Sequence, residues 1–115
     1  MHELSIAISL VDVATEEAQK LGATSVLAVY LKLGPLAGVV QDALLFSYKV
    51  ATAGTLLQGS RLIIEESPIE VFCTKCRERR PVQSIQDIRC AVCHEPGFGI
   101  LQGKEIEVVG LEIDS

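Results

Sequence analysis

Four cysteines constrain this chain more than any other feature. They form a C-x2-C-x13-C-x2-C pattern, Cys73-Thr-Lys-Cys76 followed by Cys90-Ala-Val-Cys93. Each CxxC pair presents two sulfurs across one tight turn. Two such turns supply the four soft ligands of a closed tetrahedral zinc site, with Zn–S distances of about 2.3 Å. A disulfide framework is the rival reading, but it belongs to oxidising compartments. Twin thioredoxin-like redox motifs fit less well, since that role uses a single CxxC at the start of a helix. With cysteine at all four positions the metal has no open coordination site. The expected Zn(II), one per chain, is therefore structural and not catalytic.

The cysteines sit in a stretch whose charge opposes that of the rest. Residues 73–93 hold five cations (Lys75, Arg77, Arg79, Arg80, Arg89) and two acids, while the other residues hold five cations and thirteen acids. The cations read as solvating a loop and balancing a dianionic thiolate cluster. A zinc ribbon that binds nucleic acid is an alternative function, and an interaction protein with purely architectural zinc is another. Against the first, the module has Phe72 and Phe98 at its edges and no aromatic stacking platform inside. The acidic remainder repels phosphate, and the overall charge is −5. No nucleic-acid partner is expected.

A chain of 115 residues with 49% hydrophobic and 22% charged side chains buries one core, which excludes wholesale disorder. Its most apolar stretch, Ser25 to Phe46, is interrupted by Lys32, Gly34, Pro35 and Asp42, so no membrane helix is expected. The Met-His-Glu start puts an acid where a signal peptide carries a basic flank. A cytoplasmic location follows as the expectation.

Periodicity predicts the elements. Ile6, Leu10, Val13, Ala14, Glu17, Ala18 and Leu21 recur at spacings of three and four, predicting an amphipathic helix over 4–21 that Gly22 ends. Ser25 to Leu33 alternates as a half-buried strand, with Leu27, Val29, Leu31 and Leu33 on one face and Ala28, Tyr30 and Lys32 on the other. A second helix is predicted over 39–53, apolar on more than one face and therefore well covered. Arg61 to Glu66 is a short strand, and Ser67-Pro68 marks a boundary. In the closing strand, 104–113, the apolar set slips from Ile106 and Val108 to Val109, Leu111 and Ile113, which predicts a bulge near Val108-Val109. The expected fold class is α+β: two helices packed on a small mixed β-sheet, residues 1–67 plus 104–115, carrying an inserted zinc-ribbon module over 68–103.

Met1, His2 and Glu3 stand immediately before the first helix. A large second residue keeps the initiator methionine, so the Met1 amine, the His2 backbone nitrogen and the His2 ring can form fused chelate rings. Nitrogen donors in a plane suit Ni(II) or Cu(II). Glu3 adds an oxygen or compensates charge. The positive end of the helix dipole opposes a cation here. Taken alone, the motif reads most simply as a solvated terminal histidine.

The combination is more specific. The Met-His-Glu-Leu-Ser start, the acidic two-helix domain, the Gly34-Pro35-Leu36 turn and the two CxxC knuckles resemble the HypA family of hydrogenase nickel-incorporation proteins across essentially the whole chain. The resemblance implies a nickel metallochaperone, not an enzyme. It implies that Met1, His2 and Glu3 bind Ni(II) transiently, and that Cys73, Cys76, Cys90 and Cys93 bind Zn(II). It further implies delivery to the nickel–iron hydrogenase large-subunit precursor together with the GTPase HypB and, in some bacteria, work with urease accessory proteins. A monomer or weak homodimer is expected. His94 departs from the family pattern, where glycine or another small or polar residue is expected. A second-shell donor, an accessory nickel ligand and an exposed loop residue are the three readings of it.

Overall fold

The computed structural model describes residues 2–114, without the side chains of Gln83 and Phe98. Its elements are α1 (His2–Lys20), β1 (Ser25–Leu33), a 3-10 turn (Pro35–Ala37), α2 (Gln41–Thr52), β2 (Arg61–Glu66), β3 (Glu70–Cys73), β4 (Glu78–Ser84), β5 (Asp87–Cys90), β6 (Phe98–Gln102) and β7 (Ile106–Asp114). They gather into two compact units. One holds the described residues up to Lys32, Val39–Glu65 and those from Glu107 on; the other holds Leu33–Gly38 and Glu66–Ile106. Among the described residues no helix is long and apolar enough to cross a membrane.

The first unit packs α1 and α2 on a three-stranded sheet of order β2-β1-β7. The sheet is mixed. Thr24 N–H donates to the Asp114 carbonyl and Gly34 N–H to that of Glu105, both at 2.8 Å, so β7 runs antiparallel to β1. Ser67 N–H, just past the end of β2, donates to Leu33 at the end of β1 at 3.0 Å, so these two strands run the same way. The crossover between them is α2, the usual device for joining parallel neighbours.

The buried stripe of α1 is Ala7, Leu10, Val11, Ala14 and Ala18. This corrects the expected face. Val13 and Leu21 are exposed, as is Glu17. Three alanines in the stripe let helix and sheet approach closely, and they weigh little in a pattern read from large side chains. The expected cover over α2 is likewise wrong. Leu44, Tyr48 and Thr52 are buried, whereas Leu45, Phe46 and Val50 are exposed. A 12-residue helix on the outside of a two-layer unit has one face to bury, whatever its composition.

In β1 the expected alternation holds from Val29 onward. Leu27 is exposed, and Val26 enters the core in its place, its N–H bonded to the Leu56 carbonyl. Ala28 is also buried, although it stands outside the main core cluster. On β7 the core-facing residues are Val108, Leu111 and Ile113. The inward positions thus change parity between Val108 and Leu111, around Gly110. Tyr48 brings a hydroxyl into this core and pairs it with Ser60 Oγ at 2.6 Å. Burial pushes its phenol pKa up, and the Ser60 bond partly offsets that.

The second unit is a four-stranded antiparallel sheet of order β5-β4-β3-β6. Cys73 at the end of β3 lies opposite Glu78 at the start of β4, and Val71 opposite Arg80. The Gly34-Pro35-Leu36 turn belongs here. A Cβ at Gly34 would collide with the backbone carbonyl of Gly103, which explains why the motif requires glycine. The edge strand β6 advances two residues for each one of β3, and these bulges spoil its free edge as a template for another strand.

Candidate metal centre

Each cysteine pair is held by its own turn. Cys73 ends β3, and its carbonyl accepts the Arg77 N–H at 2.7 Å, folding the chain so that Cys76 N–H points at Cys73 Sγ, 3.4 Å away. The second pair repeats this, with His94 N–H donating to the Cys90 carbonyl at 2.9 Å. Arg77 (φ 59°) and His94 (φ 64°) both adopt the left-handed conformation that closes such a turn and that glycine adopts without strain. The departure at His94 is therefore a backbone matter first, and Arg77 is its unforeseen twin. Of the three readings of His94, the structure supports the exposed loop residue: it is exposed and stands outside the sulfur cluster.

The four sulfurs lie within 4.8 Å of one another. Cys73 Sγ is 3.4 Å from Cys93 Sγ, and Cys76 Sγ is 3.9 Å from Cys90 Sγ. Disulfides are excluded, since all four thiols are unpaired and the separations far exceed a sulfur–sulfur bond of about 2.05 Å. Four ligands at about 2.3 Å from a tetrahedral centre stand roughly 3.8 Å apart. The donor set thus fits a four-coordinate soft cation such as zinc. Among the described residues no other group of three or more His, Cys, Asp or Glu is placed to hold a metal.

Backbone donors prepare these thiols for a cation. The Cys76 N–H lowers the pKa of Cys73. At Cys90 burial acts upward, but the N–H groups of Cys93 and Val92 outweigh it and bring the thiol down to about 7. At Cys93 the Glu95 N–H acts downward, while burial and the neighbouring sulfurs prevail and push the thiol up. Four thiolates cannot be charged together unless a dication is shared among them.

The cations of this unit are largely matched. Lys75 stands 4.0 Å from Glu95, Arg79 pairs with Glu70, and Arg89 grips Asp87 with two bonds of 2.6 and 2.7 Å. Over Leu33–Gly38 and Glu66–Ile106 there are six Lys and Arg against six Asp and Glu, so the basic window is neutralised once its folded neighbours are counted. Arg80 differs. It pairs with Glu78 at 2.5 Å and buries its Nε without a hydrogen-bond partner.

At the other candidate site, Met1 lies outside the described residues. His2 opens α1 with its side chain 59% exposed. Glu3 is only 21% exposed, and its Oε2 accepts the Val40 N–H at 3.2 Å while standing 3.9 Å from His2 Nδ1. The Val40 bond holds the Glu3 carboxyl below the usual carboxylate range. No local pattern signals this bond, which spans 37 positions.

A family model described as hydrogenase/urease nickel incorporation, metallochaperone, hypA matches residues 1–113. The chain belongs to the HypA family. A hydrogenase maturation factor HypA of Roseiflexus sp. is 48% identical over 114 residues, covering 99% of this chain and 93% of that one. One from Chloroflexus aurantiacus is 46% identical, covering 97% and 98%. The fold agrees with two solved structures. One is the Ni metallochaperone HypA from Helicobacter pylori (TM-score 0.71, 22% identity, 98% of this chain and 97% of that one). The other is described as HypA protein (TM-score 0.73, 24% identity, 98% and 96%). HypA proteins are maturation factors and metallochaperones, not enzymes.

Proposed function

We propose that this chain binds Ni(II) through Met1, His2 and Glu3 and delivers it to the nickel–iron hydrogenase large-subunit precursor, working with the GTPase HypB in the cytoplasm. Nickel is cargo. The observation that carries the reading is the family match over residues 1–113, combined with an exposed His2 at the open end of α1. An exposed site with few ligands suits transfer by ligand exchange, because a closed cage resists release. Unpaired thiols suit a reducing compartment.

In the same reading Cys73, Cys76, Cys90 and Cys93 hold one Zn(II). The ion joins the end of β3 to the end of β5 and stabilises a small unit whose own core is slight. The residues of this unit do no chemistry on the cargo. They keep two knuckles closed and present matched surface charge. Residues 68–103 then serve as the zinc-binding domain and residues 1–67 plus 104–115 as the nickel-binding domain.

Metal analysis and nickel titration of the untagged chain test this. The expected result is one zinc per chain, and one nickel site that His2→Ala abolishes with zinc content unchanged. Equal nickel affinity in His2→Ala would refute the delivery site.

A further inference from the structure

The chain passes between its two units four times: between Lys32 and Leu33, Gly38 and Val39, Glu65 and Glu66, and Ile106 and Glu107. On the cysteine-unit side of these passages, segments 33–36, 67–68 and 102–105 are tied together. Gly34 N–H donates to the Glu105 carbonyl at 2.8 Å, Leu36 N–H to that of Gly103 at 2.7 Å, and Ser67 N–H to that of Leu33 at 3.0 Å. The Gln102 side chain adds a bond of 2.9 Å to the Pro68 carbonyl.

One residue joins all three segments. Glu105 Oε1 accepts the Ser67 hydroxyl at 2.6 Å and the Gly103 N–H at 3.0 Å, while the Glu105 backbone carbonyl holds Gly34. The Ser67 bond has the length of a hydroxyl donating to a carboxylate anion. Ser67 is 3% exposed and Gly103 is buried. Withdrawing that single oxygen strands two buried donors at once, and a buried donor without an acceptor carries its full desolvation penalty. No one segment can leave without that cost, so the three hold together or part together.

We propose that Glu105 is a latch, making segments 33–36, 67–68 and 102–105 one cooperative joint that is closed or open as a whole. Every residue of the joint belongs to the cysteine unit, and no cysteine takes part in it. Contiguous openings of this kind are the steps by which proteins unfold locally, and amide exchange reads them.

Amide exchange of the full chain as purified, followed residue by residue by NMR, tests the latch. The informative amides are Gly34, Leu36 and Ser67, because each donates to a backbone carbonyl that Glu105→Ala leaves in place. Opening as a whole means that Glu105→Ala speeds these three and Gly103 by a common factor of about tenfold or more. Glu105→Gln falls between, since its amide oxygen still accepts. Acceleration of Gly103 alone would make Glu105 a local acceptor and overturn the proposal. The Arg77 and His94 amides, which close the two cysteine turns, are the control and should keep their parent rates. If Glu105→Ala speeds them too, the whole unit has loosened, and Ser67→Ala decides. That variant removes only the hydroxyl, and Gly34 and Leu36 should then exchange roughly threefold faster or more. Unchanged rates at Gly34 and Leu36 in Ser67→Ala overturn the latch.

Discussion

The Glu3 carboxylate accepts the backbone N–H of Val40 at 3.2 Å, so the first turn of α1 caps α2 from outside. Val40 is the N-cap residue of α2 and has no side-chain cap of its own. Glu3 thus satisfies one of the orphan N–H groups at that helix end and places a negative charge where the helix dipole favours it. On the sequence, Glu3 reads as a nickel ligand or a charge partner. The bond adds an anchoring role, since a carboxylate fixed on α2 also fixes the backbone of its neighbour His2.

Removing that anchor should be visible at Val40. Glu3→Ala is expected to speed hydrogen exchange of the Val40 amide several-fold, and Glu3→Gln to do so less, because the amide oxygen still accepts a bond. The pH dependence follows from the lowered carboxyl of Glu3. A depressed acid stabilises the folded state above its ordinary value of 4.5, and this is lost as pH falls through the lower folded value. Unchanged Val40 exchange in Glu3→Ala would show that the contact contributes nothing in solution.

Zinc binding should release protons, with a strength that follows the thiols. Cys90 titrates at about 7 and Cys93 lies above the usual thiol range, so metal-free cysteines at neutral pH retain protons that zinc must displace. Affinity is expected to rise with pH and to fall more steeply below about 7, once Cys90 also holds its proton. Cys73→Ser should lose zinc and melt residues 66–106 while leaving the two-helix core folded. Competition with a chromophoric chelator across pH measures the first. Circular dichroism and amide exchange measure the second. A pH-independent zinc affinity would contradict this account of the cluster.

The two faces of α2 make a stability prediction. Leu44 is fully buried and Phe46 is 70% exposed. Leu44→Ala should cost about 2–5 kcal/mol, as for other large-to-small core changes. Phe46→Ala should stay within about 0.5 kcal/mol, since it leaves no cavity. Urea titration of both variants decides it, and the reverse order would mean that α2 sits otherwise.

Much of this molecule is legible in the sequence, and the remainder fails for identifiable reasons. The cysteine spacing fixes two knuckles that bring four sulfurs together, because the chemistry is carried within each four-residue turn. The strand at Ser25–Leu33 is legible because alternation is a local property. Which face of α1 is buried is not, since Ala7, Ala14 and Ala18 do in packing what a pattern of large residues assigns to Val13 and Leu21. Composition likewise says nothing of how many sides of α2 find a partner. The Glu3–Val40 contact depends on tertiary placement, which no local pattern encodes.

The acidic face of α1 is the proposed dock for HypB. Asp12, Glu16 and Glu17 are all exposed there, and the first unit carries nine of the fifteen carboxylates against four of the ten cations. Glu16→Lys with Glu17→Lys should weaken HypB binding at low salt by an order of magnitude or more, mainly through the association rate, and the loss should shrink as salt is added. Calorimetry or surface binding at two ionic strengths reads this. An unchanged affinity at low salt would place the interface elsewhere on the chain.

The N-terminus makes the prediction that bears most directly on function. Two residues added ahead of Met1 convert its amine to an amide and remove one of the nitrogen donors, leaving His2 as an isolated imidazole. Nickel affinity should fall at least as far as in His2→Ala. Zinc content and melting temperature should hold, because a terminus outside the core contributes little to stability. Hydrogenase maturation in cells should fail with either change. Nickel binding should also weaken on acidification, since protonating the amine or the ring blocks coordination. The extension separates a chelate from a lone histidine, which His2→Ala cannot do. If the extended chain binds nickel as tightly as the parent, the Met1 amine is not a ligand and the cargo site has to be sought away from the N-terminus.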